Sequence, residues 1–320
     1  MSRLPPRIDR SRLRTVSARR RPSKVHRRDE GVPHRPGARF AEFVDHLPRL
    51  LGGADLRDAV EAAARARARA RPLLWGLGAH VIKVGLAPIV VDLAERGLVS
   101  GIAMNGAGCV HDLELAMVGA TSEDVGPALD QGRFGVARET AERLNRAIAA
   151  GAASGVGMGA AVGGEILRGR YPHKRRSILA TAARLGVPAT VHAAIGTDVH
   201  HMHPSADGAA LGATSHRDFE TFAALVARLE GGVYFNVGSA VILPEVFLKA
   251  VALARNLGFR ARRFTTVNLD FIRHYRPTVN VVERPTRLGG RGISLIGQHE
   301  LLVPLLAAAL IERVEAGARR

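Results

Sequence analysis

Leu73-Leu74-Trp75-Gly76-Leu77-Gly78-Ala79-His80 is the stretch that decides the fold. Pro72 stops a helix, the apolar run 73–75 follows as a short strand, and the strand runs into a turn punctuated by Gly76 and Gly78. The same grammar recurs downstream. Residues 99–104 read as a strand that runs into Asn105-Gly106-Ala107-Gly108, 188–193 as one leading to Gly196-Thr197-Asp198, and 233–237 as one ending at Gly238-Ser239. Helical spacing is expected from Phe40 through Leu51, from Leu56 to the Pro72 stop, and over 84–96, 112–118, 138–149, 175–185, 216–230, 244–256 and 300–315. Further strands are expected near 264–267, 280–282 and 293–296. Strand and helix alternating at this spacing specify an α/β fold with a doubly wound, mostly parallel sheet, in which ligands bind outside the carboxyl ends of the strands.

Composition agrees. Hydrophobic residues make up 47% of the 320 and aromatics only 4%, so the core rests on Ala, Val, Leu and Ile, which suits helices packed on a parallel sheet. Cys109 is the single cysteine, which excludes an internal disulfide. The net charge is +17, but residues 1–40 hold 13 Lys+Arg against 3 Asp+Glu, so more than half of the excess lies in the first eighth of the chain. Residues 1–38 are therefore expected to form a basic, disordered arm, more a solvated tail than a nucleic-acid contact, since no stacking aromatics alternate with the cations. Residues 39–320 are expected to form a single domain. No segment reads as a membrane span; the smoothest, 147–164, is mostly Ala and Gly. The cytoplasm is the expected compartment.

Each glycine turn reads either as a tight βα connection or as a place where backbone approaches a phosphate. The densest polar run is Thr197-Asp198-Val199-His200-His201-Met202-His203-Pro204-Ser205-Ala206-Asp207-Gly208, with His192 upstream. It reads as a loop that contacts substrate or, alternatively, as a metal grip using His200, His201, His203 and a carboxylate of Asp198 or Asp207. His111-Asp112 reads as an acid/base pair or, for Asp112, as a helix cap. Glu245, after Pro244, either complements a helix N-terminus or holds a cationic substrate. Cys109 reads as a small buried apolar residue.

Together these segments resemble the deoxyhypusine synthase family over about three-quarters of the chain. The resemblance rests on Gly78-Ala79-His80-Val81-Ile82-Lys83-Val84-Gly85, Met104-Asn105-Gly106-Ala107-Gly108-Cys109-Val110-His111-Asp112-Leu113, Gly196-Thr197-Asp198, Gly238-Ser239-Ala240-Val241-Ile242 and Leu301-Leu302-Val303-Pro304-Leu305-Leu306. It implies a Rossmann-like sheet, a homotetramer, NAD as cofactor and aminobutyl-type transfer from spermidine or a related polyamine. By the resemblance His80, Asn105, Gly106, Ala107, Gly108, Asp198, Gly238, Ser239, Asn268 and Gln298 line the NAD site.

The departures concern chemistry more than scaffold. The family's imine-forming lysine falls in the last third, where this chain reads Asn280-Val281-Val282-Glu283-Arg284-Pro285-Thr286, and no lysine follows Lys249. Arginine stays protonated and forms no imine. A family carboxylate is replaced by His111. The expected function is a deoxyhypusine synthase-like, NAD-dependent transferase acting on a small amine or polyamine. His111, His201, His203, Asp207 and Glu245 are the candidates for proton handling, and Asp198, Asp207, Glu245 and Glu300 for neutralising ammonium groups. Alternatives are a metal-dependent hydrolase built on the 200–207 loop and a non-catalytic NAD-binding protein.

Overall fold

The computed structural model describes residues 8–318. Six strands form one sheet: β1 (Leu73–Leu77), β2 (Gly101–Asn105), β3 (Ala189–His192), β4 (Val233–Val237), β5 (Thr265–Asp270) and β6 (Arg291–Ile296). The first helices are α1 (Phe40–His46), α2 (Leu51–Ala68), α3 (His80–Lys83), α4 (Ala87–Glu95), α5 (Gly106–Val118) and α6 (Val125–Asp130). Then come α7 (Arg138–Ser154), α8 (Met158–Arg168), α9 (Ile178–Leu185), α10 (Gly208–Ala227), α11 (Ile242–Asn256), the single turn α12 (Tyr275–Pro277) and α13 (His299–Ala318).

All five strand pairings are parallel, and the spatial order is β3-β2-β1-β4-β5-β6. This is the strand order of dinucleotide-binding doubly wound folds, whose switch point lies between the first and fourth strands. The pleat explains why both faces carry helices. In β1, Leu73, Trp75 and Leu77 enter the larger apolar cluster with α2, α4, α5, α8, α9 and α13, while Leu74 enters a second cluster with α10 and α11. In β4 the same alternation sends Val233, Phe235 and Val237 to the first face and Tyr234 to the second. Trp75 stacks on Phe235 at 4.2 Å, and its indole N–H donates to the Leu98 carbonyl, so the largest core residue has no orphaned donor.

Residues 1–7 of the expected arm lie outside the described residues. From Ile8 onward the arm is exposed and irregular, with single turns at Arg10–Arg12 and Arg27–Asp29. The Val32 N–H donates to the His46 carbonyl and the Arg49 N–H to that of Asp29, so the end of the arm is tied to α1. The smooth stretch 147–164 is broken by Gly155, and α7 and α8 meet at 119°. No single helix among the described residues is long and apolar enough to cross a membrane.

Three expectations are corrected. Residues 280–282 are not a strand but part of a wide helical turn, Thr278–Glu283, which buries Val281 against the α10–α11 layer. Packing overrides the β-propensity of Val281-Val282. The turn 155–159 conceals α8, since Gly155 ends α7 in the left-handed conformation and Gly157 sits at the next N-cap. Asp112 does not cap its own helix. It lies inside α5 and caps α9, accepting from the Ser177 hydroxyl at 2.6 Å and from the Ile178 and Leu179 N–H groups at 2.8 and 3.0 Å.

Candidate functional site

The switch point is built by two glycine turns that touch. A Cβ on Gly78, after β1, would lie 1.9 Å from the Gly238 carbonyl oxygen, after β4, so only glycine lets the two turns cross. The Gly78 N–H donates to the Val237 carbonyl. Asn236, buried in β4, steers the second turn: its amide donates to the Ser239 carbonyl at 2.9 Å and to the Asn268 side chain of β5 at 2.7 Å. The Ser239 hydroxyl accepts the Leu243 N–H, so it satisfies one donor at the start of the fifteen-residue helix α11.

Beside this crossing, β5 and β6 end in a polar cluster. Asp270 closes β5, is 2% exposed, and uses one oxygen to accept the Phe271 N–H. Its other oxygen has no partner and lies 3.9 Å from His274 Nε2. His299, 1% exposed, opens α13. Its Nε2 lies 3.2 Å from the Leu269 carbonyl, which can only accept, so that nitrogen carries the proton. Nδ1 is then a buried lone pair with no partner. Burial holds His299 below the usual histidine range, against the Leu269 carbonyl and Asp270, which pull it up. The His80 ring sits 5.3 Å from His299, edge to face, and Phe271 closes the group at 6.1–6.2 Å from both. The result is a neutral base with an unsatisfied buried carboxylate oxygen beside it, at the crossing of β1 and β4.

On the other side of β1, the N-terminus of α5 is filled by the protein itself. The Asn105 side chain accepts the Gly108 N–H, and the Ala107 N–H supports the Asp198 carboxylate. Gly106 has no side chain because Asp198 occupies its place: a Cβ there would lie 1.9 Å from Asp198 Oδ2. Burial pushes Asp198 up to about 6, against the Thr197 side chain and the Ala107 N–H. The Gly196 N–H donates to His201 Nδ1, which turns a protonated Nε2 toward Asp198 Oδ2 at 3.7 Å. His200 is fully buried with neither ring nitrogen partnered, and burial lowers it to about 4.

These contacts sort the residues named from sequence. His80, Gly238, Ser239 and Asn268 come together around the switch point. Asn105, Gly106, Ala107, Gly108 and Asp198 form a second group at the start of α5, whose donors are already engaged by side chains. Gln298 is exposed ahead of α13. His201 joins Asp198, but His203 turns away to Ser205, and Asp207 caps α10 through the Ala209 and Ala210 N–H groups. Glu245 is bonded to Lys249 and Asn280 and lies 3.5 Å from Arg276, which together with Lys249 holds it below the usual carboxylate range. It is not free for an ammonium group. His111 bonds Thr121, away from the crossing. Among the described residues no three His, Cys, Asp or Glu side chains converge as a metal grip, so the 200–207 loop does not assemble the hydrolase alternative. Cys109 is buried and its thiol pushed up by burial, as a core residue.

Asp270 is not singled out by the sequence, and His299 stands out only within the polar set Gln298-His299-Glu300, from which Gln298 alone was assigned to the NAD site. The signal was the continuation of alternation through Val267-Asn268-Leu269-Asp270, which extends β5 three residues past 267 and makes Asp270 a strand end.

No protein-family model and no curated protein matches the chain. Solved structures do match its fold. A protein of Entamoeba histolytica assigned as a deoxyhypusine synthase aligns with a TM-score of 0.52 at 10% identity, over 88% of this chain and 96% of the other. ArgZ, a cyanobacterial arginine dihydrolase of the ornithine-ammonia cycle, aligns at 0.50 and 14% identity, over 83% of this chain and 34% of its own. Unliganded AgrE aligns at 0.50 and 17% identity, over 81% and 32%; AgrE is also known in a ternary complex with ornithine and NAD+. The chain thus spans about a third of the arginine-processing enzymes it matches. At these identities the likeness is one of fold: a Rossmann-like α/β architecture with a six-stranded parallel sheet.

Proposed function

We propose that the chain is an NAD-dependent enzyme that oxidises a small substrate at the β1–β4 crossing, with His299 taking the proton released. The observation that carries this reading is the coincidence of the switch point with the orphaned polar atoms of Asp270 and His299. Among the described residues ten buried side-chain polar atoms lack a partner, and two of them, Asp270 Oδ2 and His299 Nδ1, lie at the crossing, where a bound ligand would supply the missing bonds.

The residues fit a dinucleotide on one side of β1. Gly78 and Gly238 let the ends of β1 and β4 meet without side chains between them, and a ligand there would meet the dipole of α11, whose Leu243 N–H is already taken by Ser239. The start of α5 does not fit, since Asp198 fills the place a phosphate would take. NAD, when bound, would supply the hydride acceptor. The chain's own part is then to exclude water with Phe271, to hold His299 neutral by burial, and to accept a proton at its Nδ1. Asp270 would stabilise the imidazolium that results.

The narrower reading, aminobutyl-type transfer from a polyamine, is supported by the sequence resemblance alone. Amine oxidation needs no lysine, but transfer through an enzyme imine does. Lys249 is engaged by Glu245, and Lys174 donates to the Leu167 and Gly169 carbonyls. Self-association, also implied by the resemblance, is supported by the exposed apolar side chains Val241, Phe271, Ile272, Tyr275, Ile296 and Leu301, which belong to the ends of β4, β5 and β6.

The test is calorimetric titration with NAD, followed by absorbance of the reduced cofactor with candidate amines. Binding that is lost in Asp270→Asn and Gly78→Ala supports the reading. A wild-type chain that takes up no NAD refutes it.

A further inference from the structure

A groove of about 610 Å³ lies between the α3–α4 segment and the C-terminal half of α5. It is lined by Lys83, Thr121, His173 and Arg176, with Leu115 and Val118 as apolar wall, and no carboxylate lines it. Neither Lys83 nor Arg176 has an acidic partner among the described residues. Behind Thr121 lies Glu114, which accepts from Thr121 at 2.5 Å and from Thr140 at 3.0 Å. Because Thr121 donates to Glu114, the His111 Nδ1–H donates to Thr121 at 2.7 Å, which fixes the His111 ring. The C-terminus of α5 contributes partial negative charge of about half an electron. Two of its carbonyls are already satisfied, Leu115 by the Gly119 N–H and Ala116 by the His173 N–H. Lys83 and Arg176 thus set two full positive charges against the partial charge of the helix end and the single charge of Glu114 behind Thr121.

The groove shares α3 with the candidate site, although none of the crossing residues lines it. Lys83 is one turn beyond His80 on α3, and His111 one turn beyond Ala107 on α5. We propose that the groove is an anion-recognition subsite that holds a carboxylate or phosphate group of the substrate whose reacting end lies at the β1–β4 crossing. The proposal rests on the functional reading above and names its substrate class: a small molecule with an anionic end, not a polycation. The volume suits a small ligand, Leu115 and Val118 suit a short aliphatic spacer, and a polyamine would meet Lys83 and Arg176 as like charges.

The chain's four lysines make the test direct. The full-length protein is acetylated with an amine-reactive ester, with citrate or inorganic pyrophosphate present, or with sodium chloride at equal ionic strength. Modification is read at each lysine by peptide mass spectrometry. Lys24, exposed in the arm, is the internal reference. Modification of Lys83 is expected to fall roughly threefold or more at saturating anion. Lys24 should be unchanged, and Arg176→Gln should abolish the protection. Equal modification of Lys83 with and without the anion, or equal protection of Lys24, overturns the proposal. NAD calorimetry on the same preparation separates the two readings. Protection without NAD binding keeps the subsite and removes the hydride-transfer reading; NAD binding without protection removes the subsite alone.

Discussion

Replacing Asp198 with Asn is expected to stabilise the chain at neutral pH, although it removes a charge from a helix N-terminus. Two effects oppose each other there. The start of α5 and the Ala107 N–H favour the carboxylate, an effect of about 0.3–2 kcal/mol for a helix end. Burial against Gly106 opposes it and wins, since the carboxyl rises from its ordinary 3.8 to about 6. That difference corresponds to about 3 kcal/mol. The sign follows from proton binding. Between about pH 4 and pH 6 the folded chain holds a proton that the unfolded chain has lost, so this group's contribution falls as pH rises and is fully unfavourable above pH 6. Asn keeps the shape and an acceptor oxygen but does not titrate. Urea unfolding of both proteins from pH 4 to pH 8 should show Asp198→Asn more stable by about 2–3 kcal/mol at pH 7.5, with the advantage shrinking toward zero at pH 4. An Asn variant that is less stable at pH 7.5, or a difference that does not change with pH, would refute the argument. The first result would mean that the helix end outweighs desolvation, the second that the two balance.

Other substitutions test other parts of the structure. Gly78→Ala places a Cβ 1.9 Å from a backbone oxygen that has no flexible side chain to yield, so the urea midpoint should drop by the equivalent of about 2–3 kcal/mol. Asp112→Ala strips three buried donors at the start of α9 and should cost about 3 kcal/mol in chemical denaturation while leaving NAD calorimetry unchanged. Tyr234→Phe should raise stability by about 1 kcal/mol, because the buried hydroxyl has no partner and the ring keeps its stack on Phe247. His299→Ala should abolish the low-pH limb of any NAD-linked turnover without removing NAD affinity, measured as a pH–rate profile beside calorimetry.

The order of elements was legible in the sequence because a parallel sheet writes itself in short apolar runs. Each of the runs at 73, 99, 188 and 233 was bounded by proline or glycine, and each became a strand, though β1 and β2 end later than their glycines suggested. Gly106 misled the reading of α5, because glycine at a helix start looks like a turn until its neighbour Asp198 is in place. Gly155–Gly159 hid α8 for a related reason: the glycines belong to one helix end and the next helix start, with two residues between. The run 280–282 failed differently. Val281 and Val282 favour a strand locally, but the sheet already has β5 and β6 as neighbours, and Val281 is needed in the layer beneath α11.

The candidate site was half legible, and the missing half is instructive. Histidines in a row drew attention to 200–203, yet their contacts are local: His203 with Ser205, His201 with Gly196 and Asp198. Asp270 and His299 are separated by 28 residues and two elements, and each looks ordinary in its own segment. What makes them a pair is that β5 and β6 are adjacent and parallel, so the end of one strand and the helix after the next arrive at one corner of the sheet. The same logic moves the substrate question from acids to bases. Three of the four carboxylates picked from sequence for a polyamine are occupied: Asp198 by the start of α5, Asp207 by that of α10, and Glu245 by Lys249 and Arg276. Glu300 is exposed in the first turn of α13. The cations Lys83 and Arg176, unremarkable in an arginine-rich chain, face a groove with no acid in it. Spacing shows which residues are close in sequence; which charges remain unpaid in space is decided by the fold.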